Sequence, residues 1–186
     1  MKDIKLNIGS GNHKYEGFLN VDIQDWNGNT DIKHDLIQVP YPFEENSVSE
    51  IISLEFLEHI SFHHTFKVLT EWKRILKDGG KAIIQVPDCG QAMEYYVNNE
   101  ICNCVPHKGK SLEDFKADKN CFNCQGKAKI NPVRWLYSFT GAQKHFYDSH
   151  LNIFTQERME EILKKVGFRK IEFKEHPFKL IVEVIK

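Results

Sequence analysis

Two features near the start of the chain could hold a nucleoside-like ligand. Gly9-Ser10-Gly11 directly follows the apolar run Leu6–Ile8, and Asp22 closes a second apolar run that begins at Phe18. Glycines in such a loop let the backbone approach a ligand closely and take up conformations closed to other residues. A carboxylate ending the next strand can accept both hydroxyls of a ribose. The loop is not built for phosphate. The position three beyond Gly11 is Lys14 rather than the third glycine of a dinucleotide fingerprint, and no Gly-Lys-Ser/Thr follows. By themselves these residues equally describe a tight turn with an aspartate capping it.

The cysteines offer a second chemistry. Cys102 and Cys104 form one pair and Cys121 and Cys124 another, in "CNC" and "CFNCQG". Four thiolates suit tetrahedral structural zinc, and the CxxCxG half resembles a zinc knuckle; reduced free thiols are the alternative in a reducing compartment. Cys89, alone in "VPDCG", reads as a nucleophile or as a buried thiol at a strand end.

These residues need a scaffold. With 186 residues, 41% of them hydrophobic, the chain suits one domain with its own core. Lysine and arginine number 25 against 26 aspartate and glutamate, a balance that disfavours nucleic acid and anionic membranes as partners. The amino terminus lacks the apolar region of a signal peptide, and no apolar run is long enough to span a bilayer, so a cytoplasmic protein is expected. "IKLNI" (Ile4 to Ile8), "FLNVDI", "VSEIISL" (Val48 to Leu54) and "KAIIQVP" (Lys81 to Pro87) read as buried strands. Phe62, Phe66, Leu69, Trp72 and Leu76 recur at helical spacing, and "KDGG" supplies a glycine stop. Thr155 can cap a helix with the stripe Met159, Ile162, Leu163 and Val166, ended by Gly167. Two strands, Arg169 to Glu175 and Leu180 to Ile185, close the chain as an antiparallel hairpin. Strands alternating with helices predict an α/β fold, a Rossmann-like, doubly wound and mainly parallel twisted sheet with an antiparallel end strand. Residues 98–132, rich in Asn, Lys and Cys with little periodicity, read as an insertion or lid.

The order of motifs resembles that of class I S-adenosylmethionine-dependent methyltransferases, and most closely their small, compressed branch. The residues that carry the likeness are "LNIGSG…GFLNVDI", "DIKHDLIQVPYPFEENSVSEIISLEFLEHI", "EWKRILKDGGKAIIQVPD" and "RWLYSFTGAQKHFYDSHLNIFTQERMEEILKKVGF". The resemblance implies S-adenosylmethionine as cofactor, with Gly9, Ser10 and Gly11 lining its aminocarboxypropyl group and Asp22 binding its ribose. Asp35 would take the adenine amino group with Leu36 beside the ring, and Leu54 and Glu55 would face the reactive methyl. Ser49 stands where the family usually has an aspartate, and Glu55 replaces a residue more often uncharged or histidine. The Gly9–Gly17 link is short enough that the first helix is expected to shrink to a turn. His59 in "LEHI" is the candidate general base, set against a purely structural histidine that starts a helix. Glu58 beside it reads as a helix-entry charge. Arg134, Tyr137, His145 and His150, in the acceptor-side segment, are the candidate substrate residues.

The reading of function is methyl transfer to a small-molecule or glycan acceptor. Two other classes remain: a non-catalytic S-adenosylmethionine or nucleoside binder, and a nucleic-acid methyltransferase. Against the latter, the central strand ends in "SLEF" rather than a DPPY-like tetrad, and the chain has no basic stripe.

Overall fold

The computed structural model describes residues 3–98, 139–143, 148–176 and 178–186. Seven strands form one sheet: β1 (Ile4–Ile8), β2 (Leu19–Asp22), β3 (Ile32–Lys33), β4 (Val48–Leu54), β5 (Leu76–Pro87), β6 (Lys170–Lys174) and β7 (Lys179–Ile185). Their order is β3-β2-β1-β4-β5-β7-β6. β3 through β5 are mutually parallel, and β7 runs antiparallel to both β5 and β6. The expected mainly parallel sheet with an antiparallel end is therefore observed. Helix α1 (Phe62–Ile75) crosses from β4 to β5, α2 (Cys89–Asn98) follows β5, and α3 (Gln156–Val166) precedes the final hairpin. Lys73 Nζ donates to the carbonyl of Val166 at 3.1 Å, tying α1 to the end of α3. The core is built from β1, β4, β5 and β7 side chains such as Ile8, Ile51, Ile84 and Val182 together with Trp72, Leu69, Met159 and Leu163, all fully buried.

Local signals explain several boundaries. Thr155 Oγ1 accepts from the amide of Arg158 at 3.2 Å, and Gly167 ends α3 in the left-handed conformation at φ 89°. Asp88 Oδ1 caps α2 by accepting from the amide of Gln91 at 2.9 Å, a start signal beside Cys89 that the sequence reading passed over. α1 ends differently from expectation. Leu76 is already extended, pairs with Val48, and opens β5, so "KDGG" lies within that strand instead of stopping the helix. Pairing with β4 outweighs the local glycine signal.

The connections from β1 to β4 contain no helix. Parallel strands usually need a longer crossover, so these short links require another means of closing over the sheet. Two asparagines provide it. Asn7 and Asn20 are opposite each other in register, both buried, and Asn7 Nδ2 donates to Asn20 Oδ1 at 3.0 Å. Asn7 Nδ2 also reaches the His13 carbonyl at 3.0 Å, and Asn20 Nδ2 reaches the Asn29 carbonyl at 2.8 Å. The Asn20 amide donates to Asp31 Oδ2 at 2.8 Å. One amide pair thus pins both crossover loops to the sheet.

Replacing Asn20 with alanine takes one of the two acceptors from Asn7 Nδ2 and the side-chain donor from the Asn29 carbonyl. A buried polar group without a partner costs about 1–3 kcal/mol. At about 2 kcal/mol a chain of this size should melt about 4–8 °C lower. Thermal unfolding of Asn20→Ala measures this, and an unchanged midpoint would remove the pair from this role.

Candidate active site

A cavity of about 770 Å³ opens over the carboxyl ends of the parallel strands. Its wall takes one piece from each successive strand end: Gly9 and Gly11 after β1, Asp22 and Ile23 at the end of β2, Asp35, Leu36 and Ile37 after β3, and Glu55 and Phe56 after β4. His59, Ser61 and His64 close one side, with Asp148, Ser149 and Leu151. In an open parallel sheet this is where ligands bind.

The glycine loop owes its shape to two contacts. Gly9 sits at φ +67°, and a Cβ there would fall 2.3 Å from the Phe56 ring. Gly11 sits at φ +51° with open space where a side chain would stand, and its amide donates to Asp22 Oδ2 at 2.9 Å. Asp22 is 7% exposed, and its Oδ1 accepts from the Gln24 amide at 3.4 Å. The aspartate therefore shapes the loop and also borders the cavity. Ser10 is buried behind the loop, with its hydroxyl unpartnered among the described residues, and does not line the cavity.

The β3 end is held from below. Asp35 Oδ1 accepts from the Ile37 amide at 3.2 Å, and Tyr41 Oη donates to the Leu36 carbonyl at 2.7 Å. The Tyr41 amide in turn donates to Glu71 Oε1 on α1, whose carboxylate is gripped by Arg74. Burial of Tyr41 pushes its phenol well above the usual range, so it stays a donor.

Beyond β4, Leu54 is half-buried in the strand and outside the cavity wall, whereas Glu55 borders it in the left-handed region at φ 57°. The Glu55 carboxylate is paired with Lys179 of β7 and accepts from Gln85 Nε2 at 3.0 Å. Its charge is thereby balanced from within the sheet. The next residues form a 3-10 turn, Leu57–His59. Glu58 is 1% exposed, and neither carboxylate oxygen has a hydrogen-bond partner among the described residues. Its carboxyl is held well above the usual range, first by burial and then by the nearby Glu55 charge. The reading of Glu58 as a helix-entry charge is thus corrected: its carboxylate is buried.

His59 Nδ1 lies 3.1 Å from the Ser149 carbonyl. A carbonyl only accepts, so Nδ1 is the donor in this contact. The rings of His59 and His150 meet edge to face with centroids 5.0 Å apart. Of the four candidate substrate residues, His150 is the one the described residues place beside the cavity wall; Arg134, Tyr137 and His145 lie outside them. So do Cys102, Cys104, Cys121 and Cys124 with most of the expected insertion. Cys89 is buried, and burial above all pushes its thiol up to about 11, which fits the buried-thiol reading and not a nucleophile.

Residues 21–84 match the family model for a methyltransferase domain. No curated protein matches the chain. Among solved structures, the S-adenosylmethionine-dependent methyltransferase of Archaeoglobus fulgidus is 14% identical with a TM-score of 0.58, over 99% of this chain and 86% of that one. That of Thermotoga maritima is 15% identical with a TM-score of 0.56, over 100% and 83%. Phosphoethanolamine N-methyltransferase 2 of Haemonchus contortus, in complex with S-adenosyl-L-methionine, is 20% identical with a TM-score of 0.50, over 94% and 35%. At these identities the likeness is one of fold. No described helix is long and apolar enough to cross a membrane.

The Glu58 carboxyl generates a prediction about pH. Its folded value is raised above the unfolded one, so the folded state holds the proton more tightly. Its cost is absent below the unfolded value, near 4.5, grows as pH rises past it, and levels off once the folded group ionises. Glu58→Gln should therefore gain stability over the wild type as pH rises from about 4 to 7 in chelator-treated buffer. Denaturant unfolding of both across that range is the check; a difference that does not change with pH would mean that Glu58 is not desolvated.

Proposed function

We propose that this chain, a class I S-adenosylmethionine-dependent methyltransferase by its domain segment and its fold, methylates a small-molecule or glycan acceptor in the cavity above β1 to β4. The observation that carries the reading is the cavity wall itself, where consecutive strand ends each contribute a group suited to one part of the cofactor. Gly11 leaves open space for the aminocarboxypropyl group, and the Asp22 carboxylate borders the cavity where ribose hydroxyls can donate to it. Asp35 is an acceptor for an exocyclic amine, and Leu36, Ile37 and Ile23 offer apolar cover to a flat ring. The cavity lies within the usual range for such ligands, roughly 300–1,000 Å³.

S-adenosylmethionine, when bound, supplies a methyl group already activated by its sulfonium. The protein has then to align an acceptor and exclude water. Phe56 and Leu151 wall the space with apolar surface, and His59 stands on the histidine-lined side, where an acceptor could lose a proton to its imidazole. The pairing of Glu55 with Lys179 keeps a free carboxylate away from a cationic donor. His150, together with Arg134, Tyr137 and His145 outside the described residues, remains a candidate for acceptor contacts. A structural zinc on Cys102, Cys104, Cys121 and Cys124 remains part of the proposal.

Asp22 decides whether the glycine loop serves a ribose. Loss of two charge-assisted hydrogen bonds, offset by rehydration, corresponds to about 2–4 kcal/mol, or about 30-fold to 1000-fold in Kd. Calorimetric titration of S-adenosylhomocysteine into the wild type and Asp22→Ala, with thermal unfolding of both, measures it. Equal affinities with a lower melting temperature would leave Asp22 only its bonds to Gly11 and Gln24. No binding to the wild type would overturn the methyltransferase reading.

A further inference from the structure

We propose that Glu58, His59 and His150 form a binding site for one divalent first-row transition-metal ion at the edge of the cavity. One ligand atom from each lies within 4.8 Å of the other two. Bound to an ion at about 2.0–2.2 Å, three such atoms stand about 3–3.5 Å apart, so closing by no more than about 1–2 Å completes the site. Two imidazoles and one carboxylate suit Zn²⁺, Mn²⁺, Fe²⁺ or Co²⁺, whereas Mg²⁺ and Ca²⁺ favour oxygen donors throughout.

Three observations point to an ion. Glu58 is almost wholly buried with both carboxylate oxygens unpartnered among the described residues, and a side chain in that position normally finds a partner. A dication there would offset the burial of the carboxylate and its repulsion by Glu55, whose own charge already faces Lys179. His59 is orientated as metal-ligating histidines commonly are, with Nδ1–H on a backbone carbonyl and Nε2 available.

The third observation is how firmly the distant ligand is brought in. The amides of Leu151 and Asn152 donate to the Glu58 carbonyl at 2.8 and 3.1 Å, and Asn152 Nδ2 donates to Thr65 Oγ1 on α1 at 2.8 Å. On its other side, the His150 amide donates to the Thr140 carbonyl at 3.1 Å. Gly141 packs so closely that a Cβ would fall 1.8 Å from the Asp148 carbonyl oxygen and 3.0 Å from the His150 ring. The strand-like segment around His150 is thus clamped to the 3-10 turn that carries the other two ligands.

With three protein ligands, an ion keeps positions for an outside oxygen, and His59 already borders the cavity. Its role would be to hold an acceptor oxygen, which places His59 as a ligand in preference to a general base. That positioning role rests on the methyl-transfer reading, but binding of the ion does not.

The test uses Co²⁺ on the chelator-treated full chain, read by absorption and calorimetry without donor or acceptor, so its failure is separate from failure of the S-adenosylhomocysteine titration. One equivalent should bind with d–d bands and no thiolate-to-cobalt charge transfer, separate from any equivalent held on the cysteines, which would show that charge transfer. Glu58→Gln and His150→Gln should each weaken that equivalent at least about 100-fold, beyond what loss of a supporting hydrogen bond usually costs. Glu58→Gln keeps the shape of the side chain and removes a buried acid, so it tests the site even where the histidine variant fails to fold. Absence of any equivalent free of thiolate charge transfer, or such an equivalent that survives Glu58→Gln unweakened, would overturn the proposal.

Discussion

The Asn7–Asn20 amide pair lets this sheet dispense with helices over its first half. A crossover as short as Gly9–Phe18 cannot bury an apolar face of its own, so it has to be held by polar bonds made from the strands beneath. Asn7 reaches the loop after β1, and Asn20 reaches the loop after β2. Because the same loops carry Gly11 and end on Asp22, the bonds that close the fold also fix the ligand-facing backbone.

The far side of the cavity is governed by charge. Three acidic groups, Glu55 after β4, Glu58 in the 3-10 turn and Glu71 on α1, are each handled differently. Glu71 is neutralised by Arg74 and used to hold Tyr41. Glu55 is balanced by Lys179 and Gln85. Glu58 is left buried without a hydrogen-bonding partner among the described residues. Among the buried side chains without a partner in the described residues, Glu58 is the acid, so an external positive charge would stabilise the structure most there. It sits against the histidines, at the end of the cavity away from Asp22 and Asp35.

The cavity wall is therefore divided between two kinds of structure. Gly11, Asp22 and Asp35 of the cavity wall sit at or just after strand ends, whose positions follow from parallel register. The histidine end is assembled from a 3-10 turn and a segment far along the chain, joined by backbone bonds to the Glu58 carbonyl. The first is set once the sheet forms, and the second only when the α3 side of the chain docks.

The sequence by itself determined six of the seven strands, α3 and the closing hairpin, because apolar periodicity, the Thr155 cap and the Gly167 stop act within a few residues, whereas the two-residue β3 is too short for any such pattern. It also determined the grouping of Gly9, Gly11, Asp22 and Asp35, since motif order along the chain becomes strand order at one sheet edge. Asn7 and Asn20 carried a readable signal, asparagine being unusual inside strands, but their partnership needed the register. Tertiary structure alone decided that α1 ends before "KDGG", because Leu76 pairs with Val48 across the sheet. It alone gave Glu55 to Lys179 and turned Glu58 inward beside His59 and His150. Residues so distant in sequence have no local periodicity to link them, and a carboxylate's burial depends on what packs over it, which composition and spacing do not encode.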